Sequence, residues 1–292
     1  MYQQGFFNSN DIEILLNSVI SNCESSELKN IIRLNNVDTV IQKLTEFFKN
    51  SMGIEVDFIQ SYIFLASETT MVSRMISNDQ GWHIDGTSQV IDGDCYNVWI
   101  PIYNDSYESG VEVISEEQNP DIYNSLGDPT YPVNIYTKNT ASWIFKVLQE
   151  EIPEDTDLII VKPHNGVVLS LELGQVNTWK CNHPEIGDIA IFKQTEIHRG
   201  FHSDGIRIQL SLKFKTKDAK LNAKPSNTQY QLFKVLSKGS DDYEQFCSFQ
   251  EFLSAKPELS KHGRLERQAI VSLLKSELLR VKYMNNQVPV AQ

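Results

Sequence analysis

Two periodicities divide the chain. Between Ser9 and Cys23, Ile12, Leu15, Leu16, Val19 and Ile20 recur at helical spacing, and Ser9 or Asn10 can cap the first turn. Val37 to Phe48 repeats the pattern through Val40, Ile41, Leu44, Phe47 and Phe48. From Ile54 the texture changes to β-branched and aromatic residues, including Val56, Phe58, Tyr62 and Phe64. Strand-like runs follow at Tyr96–Tyr103, Val111–Ser115, Val133–Thr137, Leu158–Val161, Gly166–Leu173, Ile189–Phe192 and Ile206–Phe214. Turns are marked by Asp92-Gly93, Asn104-Asp105, Gly127-Asp128 and Gly187-Asp188. Many short strands with turns between them predict a sandwich or barrel, with the early helices packed on the outside of a sheet. Past Thr216 helical spacing returns at Asn227–Lys238, Asp242–Ala255 and Arg264–Asn285. The last of these carries Leu265, Ile270, Leu273, Leu274, Leu278 and Leu279. The pattern thus predicts N-terminal helices over 1–53, a mainly β core over 54–216 and a helical C-terminal extension over 217–292 of the same domain.

Composition narrows the partners. Of 292 residues, 40% are hydrophobic, which supports a sizeable core. A net charge of −12 argues against a nucleic-acid partner or an anionic membrane surface, since both need clustered Lys and Arg. No apolar run is long enough to span a bilayer. The first residues lack the basic start and apolar stretch of a signal peptide, so a cytoplasmic location is expected. Cys23, Cys95, Cys181 and Cys247 are widely spaced and form no C-x-x-C pair. They are expected to be reduced thiols packed as small apolar side chains.

The candidate chemistry begins in Gly81-Trp82-His83-Ile84-Asp85-Gly86. On an extended strand, residues two apart share a face. His83 and Asp85 therefore set an imidazole beside a carboxylate. His198, following the Gly187-Asp188-Ile189-Ala190-Ile191-Phe192 strand, is placed to supply a third ligand. Two histidines and one carboxylate on one face of an octahedral ion form the triad of non-haem Fe(II) oxygenases. The bland alternative is a surface histidine beside a solvated aspartate. His202 is an alternative third ligand, whereas His164, His183 and His262 sit in loop-like or helical surroundings. Along Gly205-Ile206-Arg207-Ile208-Gln209-Leu210-Ser211-Leu212, the isoleucines and leucines take one face and Arg207, Gln209 and Ser211 the other. A guanidinium in an apolar strand needs a partner, and its fork suits a carboxylate. A metal-bound dicarboxylate would serve. So would water or a nearby Asp or Glu, were this an edge strand.

Together these residues resemble the Fe(II)/2-oxoglutarate-dependent oxygenases, specifically the phytanoyl-CoA dioxygenase-like branch. The likeness rests on Trp82-His83-Ile84-Asp85, on Asn97-Val98-Trp99-Ile100-Pro101, and on the glycine-containing strand Ser109-Gly110-Val111-Glu112-Val113-Ile114. It continues through the Gly187-Asp188 strand, the distal His198 and the following Arg207, so it spans about Ile54 to Phe214. The resemblance implies a double-stranded β-helix, or jelly roll, with flanking helices. It implies that His83, Asp85 and His198 bind Fe(II), that Arg207 holds the distal carboxylate of 2-oxoglutarate, and that Trp99 lies near that cosubstrate. O2 would be the oxidant and ascorbate an accessory reductant. Two departures stand out: the gap from His198 to Arg207 is slightly short, and Gly200 occupies a position that is often Ser in the family.

The expected activity is hydroxylation of a C–H bond in a small polar metabolite or natural-product intermediate, with release of succinate and CO2. Desaturation and cyclisation use the same site. Asp85 disfavours halogenation, because related halogenases have a small residue there. Tyr62, Arg74, Asn97, Tyr103, Glu112, Trp143 and Trp179 are candidates to line the cavity. The alternatives are a cupin-like metal enzyme that does not use 2-oxoglutarate and a non-catalytic jelly-roll binding protein. The C-terminal helices are expected either to cover a sheet face or to form a homodimer interface.

Overall fold

The computed structural model describes residues 1–25, 31–32, 34–67, 81–85, 91–105, 108–127, 133–137, 154–162, 167–202, 205–221 and 271–283. The largest sheet has six strands. In spatial order they are β1 (Tyr2–Gln3), β11 (Ile189–Lys193), β5 (Cys95–Asn104), β13 (Ile206–Thr216), β3 (Val56–Ser67) and β2 (Ile31–Ile32). A second sheet runs β10 (Thr178–Asn182), β6 (Ser109–Ile114), β12 (Ile197–His202). An isolated antiparallel bridge between His83 and His198 extends its β12 edge. Neighbours within each sheet are distant in sequence, and the chain switches sheet between β10, β11, β12 and β13. This interleaving of the two sheets is a jelly roll, the predicted core.

Alternation along the strands explains both faces. Val98, Ile100 and Ile102 of β5, Ile189 and Ile191 of β11, and Ile208, Leu210, Leu212 and Phe214 of β13 point away from the second sheet. There they meet α1 (Ser9–Ser25) and α2 (Asp38–Met52) through Leu15, Leu16, Val19, Val40, Leu44 and Phe48. Val40, Leu44 and Phe48 lie four residues apart on one face of α2 and are wholly buried. Phe48 sits 5.4 Å from both Tyr96 and Phe214. Each such side chain contributes about 1.5–3 kcal/mol by leaving water. Gly53 ends α2 in the left-handed conformation, φ 71°, and donates its N–H to the Phe48 carbonyl. The opposite face of the large sheet presents Trp99, Ala190 and Phe192 to Val111, Val113 and Cys181 of the second sheet. The candidate site lies between the two sheets.

Two further small sheets flank the core. β7 (Asn134–Thr137), β8 (Leu158–Lys162) and β9 (Val167–Leu171) form one. Leu158 and Ile160 of β8 and Ile135 of β7 pack with Trp82, Ile114 and Ile197 over the outer face of the second sheet. The helix α3 (Pro120–Leu126) joins them through Leu126. β14 (Lys220–Leu221) pairs with β4 (Ile91–Asp92). The predicted helices at 227–238 and 242–255 lie outside the described residues, as does Cys247. A helix is present at 271–283. It buries Leu274 and Val281 in the same core as α1. Lys275 pairs with Glu24 at 2.5 Å and Lys282 with Glu13 at 3.3 Å. Leu279 faces solvent at 70% exposure, so the predicted leucine stripe is only partly spent on this chain's own core. No helix among the described residues is long and apolar enough to cross a membrane.

Candidate metal centre

The short segment 81–85 is stitched to the start of β12. His83 and His198 exchange both backbone hydrogen bonds, each 2.9 Å, and the Asp85 N–H donates to the Gln194 carbonyl at 3.1 Å. Gly81 makes the turn into this segment at φ 73°. The pairing lets alternation work as the sequence suggested, with His83, Asp85 and His198 converging. Their potential ligand atoms all lie within 4.8 Å of one another. Nε2 of His83 is 3.8 Å from one Asp85 oxygen, Oδ1, and Nε2 of His198 is 3.8 Å from the other, Oδ2.

Backbone carbonyls fix both tautomers. Nδ1 of His83 lies 2.7 Å from the Gly81 carbonyl, and Nδ1 of His198 lies 2.8 Å from the Glu196 carbonyl. A carbonyl only accepts, so each Nδ1 carries a proton, and in the neutral ring Nε2 is left with its lone pair. This is the usual support for a metal-binding histidine. Burial, reinforced by the charge on His83, pushes His198 down to about 3. Burial alone would raise Asp85, but the positive charges of Lys213, His198 and His83 outweigh it and bring the carboxyl to about 2. At neutral pH the site therefore holds a neutral His198 and an ionised Asp85, the forms that ligate metals. Bonds near 2.1 Å put adjacent donors of an octahedral ion about 3 Å apart. The observed 3.8 Å spacings are within about 1 Å of that, and the donor set suits a mid-sized divalent ion.

The floor beneath the triad is one row across the large sheet. Lys213 of β13 pairs with Asn97 of β5, which pairs with Phe192 of β11. Lys213 is buried and forms an ion pair with Oδ2 of Asp85. Asn97 donates to the same oxygen at 3.4 Å and accepts from the Ser211 hydroxyl at 2.5 Å. The Phe192 ring lies 4.5 Å from that of His198.

Arg207 is 2% exposed and faces the interior, on the same side of β13 as Ser211 and Lys213. Its Nη1 donates to the carbonyls of Gly110 (3.0 Å) and Phe201 (2.6 Å). Its guanidinium carbon sits 5.5 Å from the Trp99 ring centroid. A Cβ built on Gly200 would approach Arg207 Nη2 to 2.9 Å, so the guanidinium occupies the space that the missing side chain leaves. Gly200 lies two residues beyond His198 on β12, on the same face and about 6.7 Å along the strand.

The other sequence candidates are dispersed. Glu112 is not in the cavity: it is buried on the outer face of the second sheet, between Arg199 (2.6 Å) and Lys180 (3.1 Å). Arg199 also lies over the Trp82 ring at 4.7 Å, which braces the residue before His83. Tyr103 bonds Asp105 at 3.2 Å. Trp179 packs beside Phe192, and the Tyr62 ring lies beside Lys213, so both border the site's surroundings. Asn97 touches Asp85, as described. Arg74, Trp143, His164 and His262 lie outside the described residues. His183 is exposed at a left-handed turn, φ 48°. His202 ends β12, beyond the bridge that joins His198 to His83. Sequence reasoning missed Lys213. Its place on the Arg207 face of the alternation was the available signal.

No protein-family model matches the chain, and no curated protein matches it. Similar folds occur among solved structures. The non-heme α-ketoglutarate-dependent epimerase SnoN from nogalamycin biosynthesis aligns over 82% of this chain and 84% of its own, at 10% identity and TM-score 0.47. The non-heme α-ketoglutarate-dependent carbocyclase SnoK from the same biosynthesis aligns over 79% and 85%, at 8% identity and TM-score 0.45. HygX from Streptomyces hygroscopicus, solved with nickel and 2-oxoglutarate bound, aligns over 75% and 82%, at 9% identity and TM-score 0.37. Likeness at this level carries no argument; the reading of function rests on the site.

Proposed function

We propose that this protein is an Fe(II)- and 2-oxoglutarate-dependent oxygenase acting on a small molecule. One observation carries the reading: a His83–Asp85–His198 triad and the buried Arg207 share the interior of the jelly roll, with His198 and the glycine against Arg207 two residues apart on β12. That spacing is about the reach of an extended five-carbon dicarboxylate anchored at one end on a metal. Iron and 2-oxoglutarate, when bound, supply oxidative decarboxylation to succinate and CO2 coupled to O2 activation.

The chain's own residues set the geometry. His83, Asp85 and His198 would hold the ion on one face and leave the other open. Arg207 would take the distal carboxylate, with Trp99 as the flat wall beside it. Val111, Val113, Phe192 and Trp99 make the interior apolar, which excludes water. Hydroxylation is the proposed outcome, with desaturation or cyclisation open to the same geometry. Asp85 disfavours halogenation. The Trp82-His83-Ile84-Asp85 and Asn97–Pro101 elements favour the phytanoyl-CoA dioxygenase-like branch. A small polar substrate in the cytosol completes the reading. A cupin-like enzyme without 2-oxoglutarate would have no use for a buried guanidinium at this spacing.

Anaerobic addition of Fe(II) and 2-oxoglutarate should produce a visible metal-to-ligand charge-transfer band. A substrate screen coupled to succinate release would then identify the reaction. No band in wild type, together with unchanged 2-oxoglutarate binding in Arg207→Ala, would overturn the proposal.

A further inference from the structure

Lys213 has no part in the reading above, yet its ammonium is bonded to a proposed metal ligand. It is almost fully buried on the interior face of β13, with the Tyr62 ring 5.8 Å away. It pairs with Oδ2 of Asp85, the oxygen that also accepts from Asn97. Asn97 is itself held by Ser211. Oδ2 of Asp85 is thus engaged by two donors and also lies 3.8 Å from Nε2 of His198, while Oδ1, 3.8 Å from Nε2 of His83, has neither of those donors. A buried lysine needs a counter-charge, and here the counter-charge is the carboxylate on which the metal reading depends.

Resting on that reading, we propose that Lys213 is a positioning residue that competes electrostatically with the metal ion. In the metal-free protein it neutralises Asp85 and holds the carboxylate in place. With a divalent ion bound, it keeps Oδ2 occupied, so Asp85 ligates through Oδ1 alone. The two cations then stand within the span of one carboxylate, in a pocket of low dielectric where repulsion is strong. Lys213 therefore lowers the site's affinity for divalent ions. In exchange it gives a single, pre-oriented ligand geometry in which the metal-free site keeps its shape.

Co(II) serves as the probe, because its visible absorption reports coordination number and needs neither turnover nor cosubstrate. Lys213→Met and Lys213→Gln both remove the charge, and the Gln variant keeps a donor near Oδ2. Both should bind Co(II) at least tenfold more tightly than wild type, measured by calorimetric titration. The Met variant should also show the spectral change of a two-oxygen carboxylate. Either variant suffices if the other does not fold. Wild-type Co(II) binding that His198→Ala abolishes, with no tightening in either Lys213 variant, would overturn the role of Lys213 alone. Absence of Co(II) binding in wild type and both variants would overturn the metal reading and this proposal with it.

Discussion

His198 makes the metal-free protein acid-sensitive in a defined window. Burial, with the neighbouring charge on His83, lowers it from its ordinary value near 6.5 to about 3. In the unfolded chain it takes up a proton near 6.5, whereas in the folded protein it resists until about 3. The unfolded state therefore binds more protons throughout that interval, and stability falls as pH drops through it. One proton corresponds to about 1.4 kcal/mol per pH unit. From pH 6.5, where the unfolded imidazole is already half protonated, to pH 4.5 the cost is about 2 kcal/mol, a sizeable share of a typical folding free energy of about 5–15 kcal/mol. Urea unfolding in chelator-treated buffer, run at several pH values on wild type and on His198→Asn, measures this directly. The stability difference between the two proteins should shift by about that amount across those two units, because the carboxylates they share cancel. Asp85 acts in the next window down: its carboxyl is lowered from 3.8 to about 2, so its contribution is present above 3.8 and is lost as pH falls toward 2. Parallel stability curves for wild type and His198→Asn between pH 6.5 and 4.5 would refute the assignment of His198 as a buried neutral imidazole.

Three further outcomes are expected. Arg207→Met should weaken 2-oxoglutarate binding by roughly 30-fold or more, the scale of losing one partner of a buried charge pair at about 2–5 kcal/mol, read by anaerobic titration of the charge-transfer band. Gly200→Ala places a methyl 2.9 Å from Arg207 Nη2, so it should weaken 2-oxoglutarate by about tenfold while Co(II) affinity stays at the wild-type level. Leu274→Ala should cost about 2–5 kcal/mol in urea unfolding, because Leu274 is wholly buried between the C-terminal helix and the core.

The sequence was most readable where local pattern and tertiary role coincide. The helices on Leu15–Val19 and Val40–Phe48, and the strands through Val98–Ile102 and Ile206–Phe214, alternate cleanly because one face is core. His83 and Asp85 were legible for the same reason, since strand periodicity alone sets two ligands on one face. The two-residue strands β1, β2, β4 and β14 were not identified, and neither were two longer ones, β10 and β12. β10 reads Thr-Trp-Lys-Cys-Asn and β12 reads Ile-His-Arg-Gly-Phe-His. The outer faces of both carry charge, and the ladder Lys180–Glu112–Arg199 that justifies this exists only after three distant strands are aligned. Glu112 accordingly looked like a cavity residue. Lys213 was hidden by its position near the end of a strand followed by Lys215 and Lys217, where lysine ordinarily means solvent. Alternation with Arg207 and Ser211 puts it on the inward face, and the register of β13 against β5 sets it beside Asn97.

The site is also a record of completed folding. Asp85 and Lys213 are 128 positions apart in the chain, and His83 meets its partner only when β12 is in place. Such pairings close long loops and are costly in chain entropy. A nascent chain synthesised only through β11 has two of the three proposed ligands and lacks both His198 and Lys213, so a scavenged metal ion meets an incomplete site. Under the proposed metal reading, only chains whose second sheet has closed present all three ligands together.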